Sequence, residues 1–251
     1  MAETYNKARG LNYYRFLKSL HRQVLFDWYL EVGCRAGLSF APVRGKTIAV
    51  DPYFRAELNI IGQKPALHVF QATSDDFFAG GFLRRNGIKL GAAFLDGMHL
   101  FEYLLRDFIN TEANADPNGV IMLHDCVPFS FEMTTRDLEN LPNGPWTGDV
   151  WKLIPILQAY RPDLKLTVLD CRPTGVVCIS NLNPKSQVLR KRYEKIVAEY
   201  LETDIEAFGV ERFFSSFAFT SALEMKAEGF ALFRPVELDA GQALQPRRVT
   251  P

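Results

Sequence analysis

Apolar residues recur along this chain with two periods. In residues 11–24, Leu11, Tyr14, Leu17, Leu20 and Val24 repeat at helical spacing and predict an opening helix. Short unbroken apolar runs follow at residues 28–32, 46–50, 66–71, 91–95 and 120–123. Each of four runs stops at a glycine or a polar residue: Gly33, Asp51, Asp96 and His124. The segments between the runs read as helices. One begins near Ser74, a good N-cap with Asp75 and Asp76 in the first turn. Another covers residues 99–111, with Leu100, Leu104 and Phe108 on one side and Glu102 spaced to pair with Arg106 on the wet side. Near-continuous apolar strands alternating with helices predict parallel βαβ units whose sheet is covered on both faces.

The pattern changes after Asp125. Residues 128–148 are rich in Pro, Asn and Gly and predict a long loop, read as a lid or acceptor loop. Asp149 is placed to cap a helix over residues 150–160, bent at Pro155. Residues 165–170 and 175–180 form a hairpin about the turn Cys171-Arg172-Pro173-Thr174. Asn183 then caps a long helix, with Pro184 in its first position, that runs to Phe208 before Gly209, and a second helix covers residues 215–227. The last twenty or so residues, with Pro246-Arg247-Arg248, read as a tail or exchanged arm. The fold class is α/β: a Rossmann-like doubly wound seven-stranded sheet, mostly parallel, with an antiparallel C-terminal hairpin and helices on both faces. Residues 1–182 form the ligand-binding domain, and residues 183–251 a helical extension and tail packed on it.

Composition narrows the partners. Lys plus Arg equals Asp plus Glu at 29 each, so there is no bulk electrostatic grip on nucleic acid or membrane. No apolar run is long enough to span a bilayer, and residues 1–22 lack a signal core. Cys34, Cys126, Cys171 and Cys178 include no CxxC pair and read as free thiols of a cytoplasmic protein. The 20 Phe fit aromatic core packing, an acceptor pocket or a homodimer interface.

Ligands of open parallel sheets bind beyond the carboxyl ends of the strands. Those ends deliver Glu31, Gly33, Arg35 and Gly37, then Asp51, then Ser74 and Asp75, then Asp96 and His99, and finally His124 and Asp125. A dinucleotide fingerprint requires G-x-G-x-x-G, but Arg35 stands where its middle glycine would be. That argues against NAD and fits a ligand without phosphates.

These residues resemble the class I S-adenosylmethionine-dependent methyltransferases. WYLEVGCRAG is similar to their first motif, TIAVDPY to the acidic second, and AAFLDGMHLFEYLLRDF with NGVIMLHDCVP to their fourth and fifth strands. The DG-x-H and HD pair resembles the small-molecule branch that includes macrocin O-methyltransferase-like enzymes. The resemblance covers roughly residues 10–181 and implies methyl transfer to a small-molecule acceptor, at a hydroxyl oxygen. It implies that Glu31, Gly33, Arg35 and Gly37 surround the cofactor's amino-acid end, that Asp51 accepts from the ribose hydroxyls, and that Ser74 and Asp75 sit beside adenine. Asp96 and His99 would lie near the sulfonium and the acceptor.

Two routes to the acceptor's proton remain open. Asp96, His124 and Asp125 could hold a divalent cation; oxygen ligands favour Mg²⁺, while the imidazole tilts toward a transition metal. Without a metal, His99 or His124 serves as general base beside Asp96. The Trp-flanked stretch Trp146-Thr147-Gly148-Asp149-Val150-Trp151 is read as part of a mobile acceptor lid. The competing readings are a methyltransferase-like fold kept as a binding or assembly module, and another nucleotide-cofactor enzyme.

Overall fold

The structure, a computed structural model, describes residues 5–238. The strands are β1 (Trp28–Val32), β2 (Lys46–Val50), β3 (Leu67–Phe70), β4 (Leu90–Leu95), β5 (Ala115–His124), β6 (Lys165–Leu169), β7 (Val176–Ser180) and β8 (Phe219–Thr220). The α-helices are α1 (Tyr13–Gln23), α2 (Ser74–Ala79), α3 (Phe82–Arg85), α4 (Phe101–Glu112), α5 (Leu153–Tyr160), α6 (Val188–Tyr200), α7 (Ile205–Phe208), α8 (Val210–Ser215) and α9 (Ala222–Ala227). They build one sheet in the order β3-β2-β1-β4-β5-β7-β6-β8. β1 to β5 pair in parallel, and β7 runs antiparallel to both β5 and β6. This is the Rossmann-like α/β sheet with an antiparallel hairpin, with an eighth strand added where β8 pairs in parallel with β6.

Side-chain alternation explains the unbroken apolar runs. Leu30, Val32, Ile48, Val50, Leu95 and Leu123 enter one core with α4, α5, α6 and α8. Tyr29, Ala49, Phe94 and Met122 enter a second core with Phe16, Leu17 and Leu20 of α1 and with Phe230 and Phe233. Both faces are therefore dry, and much of the phenylalanine is core. No helix among the described residues is long and apolar enough to cross a membrane.

Several expected boundaries move for local reasons. β5 begins at Ala115, but regular pairing resumes only at Ala92 opposite Val120, after a register shift that absorbs Pro117 and Gly119. Thr73, not Ser74, caps α2, its side chain accepting from the Asp76 N–H. Asn183 does not open a long helix: its side chain accepts from Lys185 N–H in a turn, and α6 starts at Val188. The expected helix to Phe208 stops at Tyr200, and Asp204 caps a separate turn of helix at Ala207 N–H. The expected helix over 215–227 is shorter: α8 ends at Ser215, β8 follows, and only α9 is helical within that range. Asp149 caps no helix of its own, and a 3-10 turn at Val150–Lys152 leads into α5. Pro155 falls in the first turn of α5, where its missing N–H is harmless. The Glu102–Arg106 pair does not form between side chains: Arg106 binds Asp75, and Glu102 binds Arg136. The tail with Pro246-Arg247-Arg248 lies outside the described residues.

Candidate active site

The strand order reverses between β1 and β4, and the loops after these strands touch. Gly33 has φ +85°, and a Cβ there would fall 2.0 Å from the Asp96 carbonyl oxygen. Gly37 has φ +78°, with its N–H bonded to the Cys34 carbonyl at 2.7 Å. Arg35 is exposed, adopts φ 37°, and donates its backbone N–H to Asp51 Oδ2 at 2.7 Å. Asp51 Oδ1 accepts from Tyr53 N–H at 2.6 Å. Each carboxylate oxygen keeps a further acceptor direction for a ligand.

Glu31 lies beneath this turn rather than in it. Its side chain is fully buried on the α1 side of the sheet, accepting from Tyr29 Oη at 2.8 Å and from Ser39 Oγ. Burial pushes its carboxyl up to about 8, against the two hydroxyl donors. The Ser39 contact ties Glu31 to the end of the 33–39 loop. At the next strand end, Asp75 is held by Arg106 Nε at 2.9 Å and Nη2 at 2.7 Å. That hydrogen bonding sets its carboxyl below the ordinary range. Asp107 of α4 is a buried acid whose carboxyl burial raises to about 7.

The four remaining candidates meet in one cluster. Alternation along β4 and β5 turns Asp96 and His124 toward the α1 side. His124 Nδ1 lies 3.1 Å from Asp96 Oδ1 and 3.4 Å from Asp125 Oδ1. His99 Nε2 lies 3.5 Å from Asp96 Oδ1 and 3.3 Å from Asp125 Oδ2. Two carboxylates thus face two imidazoles. Burial opposes charge on His124, but the Asp125 and Asp96 charges outweigh it and raise its pKa well above the ordinary value. Burial likewise opposes charge on His99, and the Asp96 hydrogen bond with both carboxylate charges raises it. Burial would raise Asp96, yet the two imidazoles bring it below the ordinary carboxylate range. Asp125 adopts φ 59° and accepts from Thr174 Oγ1 of the hairpin turn.

Two contacts of this arrangement had no expectation from sequence. Tyr13, the first residue of α1, places its ring 4.0 Å from the His124 ring at 33°. Its position is fixed by the N–H bond to the Arg172 carbonyl. Trp146 offers its backbone carbonyl to His99 Nδ1 at 2.9 Å and its ring to the His99 ring at 4.9 Å. A carbonyl only accepts, so Nδ1 carries the proton and Nε2 is left to face the carboxylates. The Trp-flanked stretch is tied down at this end. Thr147 and Gly148 N–H bond the Met133 carbonyl, Asp149 N–H bonds that of His99, and Trp151 is buried. Cys126 is buried with its Sγ on the His124 carbonyl.

Gly33 supplies a direct test of the loop contact. Gly33→Ala forces a left-handed backbone and a collision with the Asp96 carbonyl, and is expected to cost more than about 2 kcal/mol. Thermal unfolding should drop by at least about 5 °C for a chain this long. An unchanged midpoint would mean that the two loops are not in contact.

No protein-family model matches the chain, and no curated protein sequence matches it. Among solved structures, cofactor-bound Rv0187 from MTB superposes with a TM-score of 0.51 at 13% identity, over 68% of this chain and 80% of that one. The O-methyltransferase TomG from Streptomyces achromogenes, in complex with SAM, gives 0.49 at 17% identity over 67% and 80%. The O-methyltransferase from Bacillus cereus, in complex with SAH, gives 0.45 at 17% over 66% and 79%. The sheet described above is thus shared with cofactor-bound Rv0187.

Proposed function

We propose that this chain is a class I S-adenosylmethionine-dependent methyltransferase that acts on a hydroxyl oxygen of a small molecule. One observation carries the reading: Asp96, His99, His124 and Asp125 converge within hydrogen-bonding range beside the glycine turn at the sheet's switch point.

The residues fit the cofactor. Gly33 leaves no side chain between the loops after β1 and β4, and Asp51 keeps acceptor capacity on both oxygens. Ser74 and Asp75 stand at the next strand end, where Arg106 fixes Asp75. When bound, the cofactor supplies a methyl group already activated by its sulfonium. The chain's own residues have to align the acceptor and remove its proton. In the ion-paired cluster both imidazoles hold their protons to higher pH than a free imidazole, balanced by Asp96 and Asp125. His99 Nε2 is the atom best placed to take the acceptor's proton, because Trp146 holds its Nδ1–H. It can do so only after the cluster releases a proton, which makes turnover rise with pH.

A divalent cation is an alternative counter-charge for the same carboxylates. Asp96, His124 and Asp125 offer ligand atoms that all lie within 4.8 Å of one another. A metal-bound imidazole normally donates its other N–H to an acceptor. His99 has that acceptor in the Trp146 carbonyl, whereas His124 Nε2 is buried without a partner among the described residues. This supports His99 as the better nitrogen ligand beside Asp96 and Asp125. A cation there would lower the acceptor hydroxyl's pKa. The four buried free cysteines support a reducing, cytoplasmic setting. Among the described residues, those up to 182 carry the chemistry, and residues 183–238 act as an extension that braces it.

Calorimetric titration with S-adenosylhomocysteine, in Mg²⁺ and then in EDTA, tests the reading. Micromolar binding under both conditions is expected. No binding under either would overturn it.

A further inference from the structure

Three arginines that are buried or half-buried have carboxylate partners: Arg106 with Asp75, Arg136 with Glu102, and Arg161 with Glu112. A second group of cations does not. Arg84, Arg85, Lys89 and Arg190 form no ion pair among the described residues. Arg84, Lys89 and Arg190 line one cavity of about 340 Å³, and no acidic residue lines it. Its apolar side is formed by Phe77, Phe78 and Phe82.

The cations converge rather than disperse. A methyl group built on Gly81 would lie 3.5 Å from Arg85 Nη1 and 3.8 Å from Arg84 Nη2, so two guanidinium groups border one glycine. Arg190 reaches across from α6, its Nη2 donating to Asn110 Oδ1 at 2.9 Å. Lys89 stands just before β4. Three exposed cations with no acidic residue among them around one hollow favour an anion there, on a chain of zero formal charge. Guanidinium forks match the oxygens of phosphate, and a lysine adds a point charge. The half-buried rings of Phe78 and Phe82 offer flat apolar contact beside them. The volume lies within the usual range for small-ligand pockets, which starts at about 300 Å³.

We propose that this cavity binds a phosphate monoester carried on a flat apolar group. It sits at the start of β4, while Asp96 follows its end. Six strand residues separate the two, roughly 20 Å. The proposal therefore stands independently of the methyltransferase reading.

Phenyl phosphate is the probe, titrated calorimetrically into the full chain with phenol and inorganic phosphate as separate arms. Phenyl phosphate is expected to bind at one site, and the double variant Lys89→Ala/Arg190→Ala to weaken it at least about tenfold. Both side chains are exposed, so the variant folds; its thermal midpoint checks this. Saturation with S-adenosylhomocysteine should leave the affinity unchanged. No heat up to millimolar phenyl phosphate, or wild-type affinity in the double variant, would overturn the site. Phenol binding as tightly as phenyl phosphate would overturn the anionic ligand. Equal affinity for inorganic phosphate would keep the anion site and overturn the role of the rings.

Discussion

Asp96→Asn is expected to lower turnover about 10³-fold or more while leaving the protein folded. Asp96 Oδ1 is the oxygen that both imidazoles approach, at 3.1 Å from His124 and 3.5 Å from His99. The amide keeps the shape and loses the charge. Asp125 still faces both rings, at 3.4 Å and 3.3 Å, so the thermal midpoint should fall by no more than about 5 °C. The protonation of the cluster should change more than its geometry. With half the negative charge gone, both imidazoles should titrate lower, a shift that imidazole NMR resonances report directly. The raised His124 and His99 values stabilise the wild type fully below about pH 6.5, the ordinary histidine value, and that stabilisation is lost as pH rises through the folded-state values. The lowered Asp96 value stabilises it above about pH 4, and that part is lost in acid. The variant should therefore show a shallower alkaline loss of stability. Wild-type turnover with unshifted histidines would remove Asp96 from the mechanism.

The sequence made the catalytic edge legible because strand ends are legible. β1 and β2 fall on their expected ranges, since each is a buried apolar run stopped by Gly33 or Asp51. In a parallel sheet those stops share one edge, so Asp96, His99, His124 and Asp125 could be grouped without coordinates. The supports of the cluster could not. The carbonyl that orients His99 comes from Trp146, 47 positions away, and a backbone carbonyl has no sequence signature. Tyr13 sits on an ordinary amphipathic helix, and backbone bonds between residues 10–13 and the segment 170–172 bring it over His124. Local rules also lost to tertiary partners. Glu102 and Arg106 are spaced as a helical pair, yet each binds a guanidinium or carboxylate from another segment, because those contacts are bidentate. β8 is two residues long, too short for any period to register. The break at Thr203-Asp204 reads as helix by composition, but the Asp204 side chain caps a new turn.

Asp149→Ala is expected to cost about 3–5 kcal/mol of stability, lowering the thermal midpoint by about 6–20 °C. The carboxylate is nearly enclosed and serves three groups at once. Oδ1 accepts from Phe101 N–H at 2.9 Å and so caps α4 from outside the helix. Oδ2 accepts from Arg136 Nη1 at 2.6 Å and from Lys152 Nζ at 2.7 Å. Lys152 is 1% exposed, and without Asp149 its ammonium keeps only the Leu201 carbonyl at 3.3 Å and the Phe101 ring. Burial already lowers the Lys152 pKa against the pull of Asp149, and the variant removes that pull. The loss should therefore come mainly from a stranded buried charge. The double variant Asp149→Ala/Lys152→Met removes that charge and should recover all but about 1–2 kcal/mol, the remainder being the lost cap. Asp149 also carries the N–H that bonds the His99 carbonyl at 3.2 Å, next to the Trp146 carbonyl that fixes the His99 ring. A change that loosens this stretch should reduce turnover about tenfold or more even where the protein remains folded. Recovery of stability without recovery of turnover in the double variant would separate the two roles. A cost below about 1 kcal/mol for Asp149→Ala would mean that Lys152 is not held buried by this carboxylate.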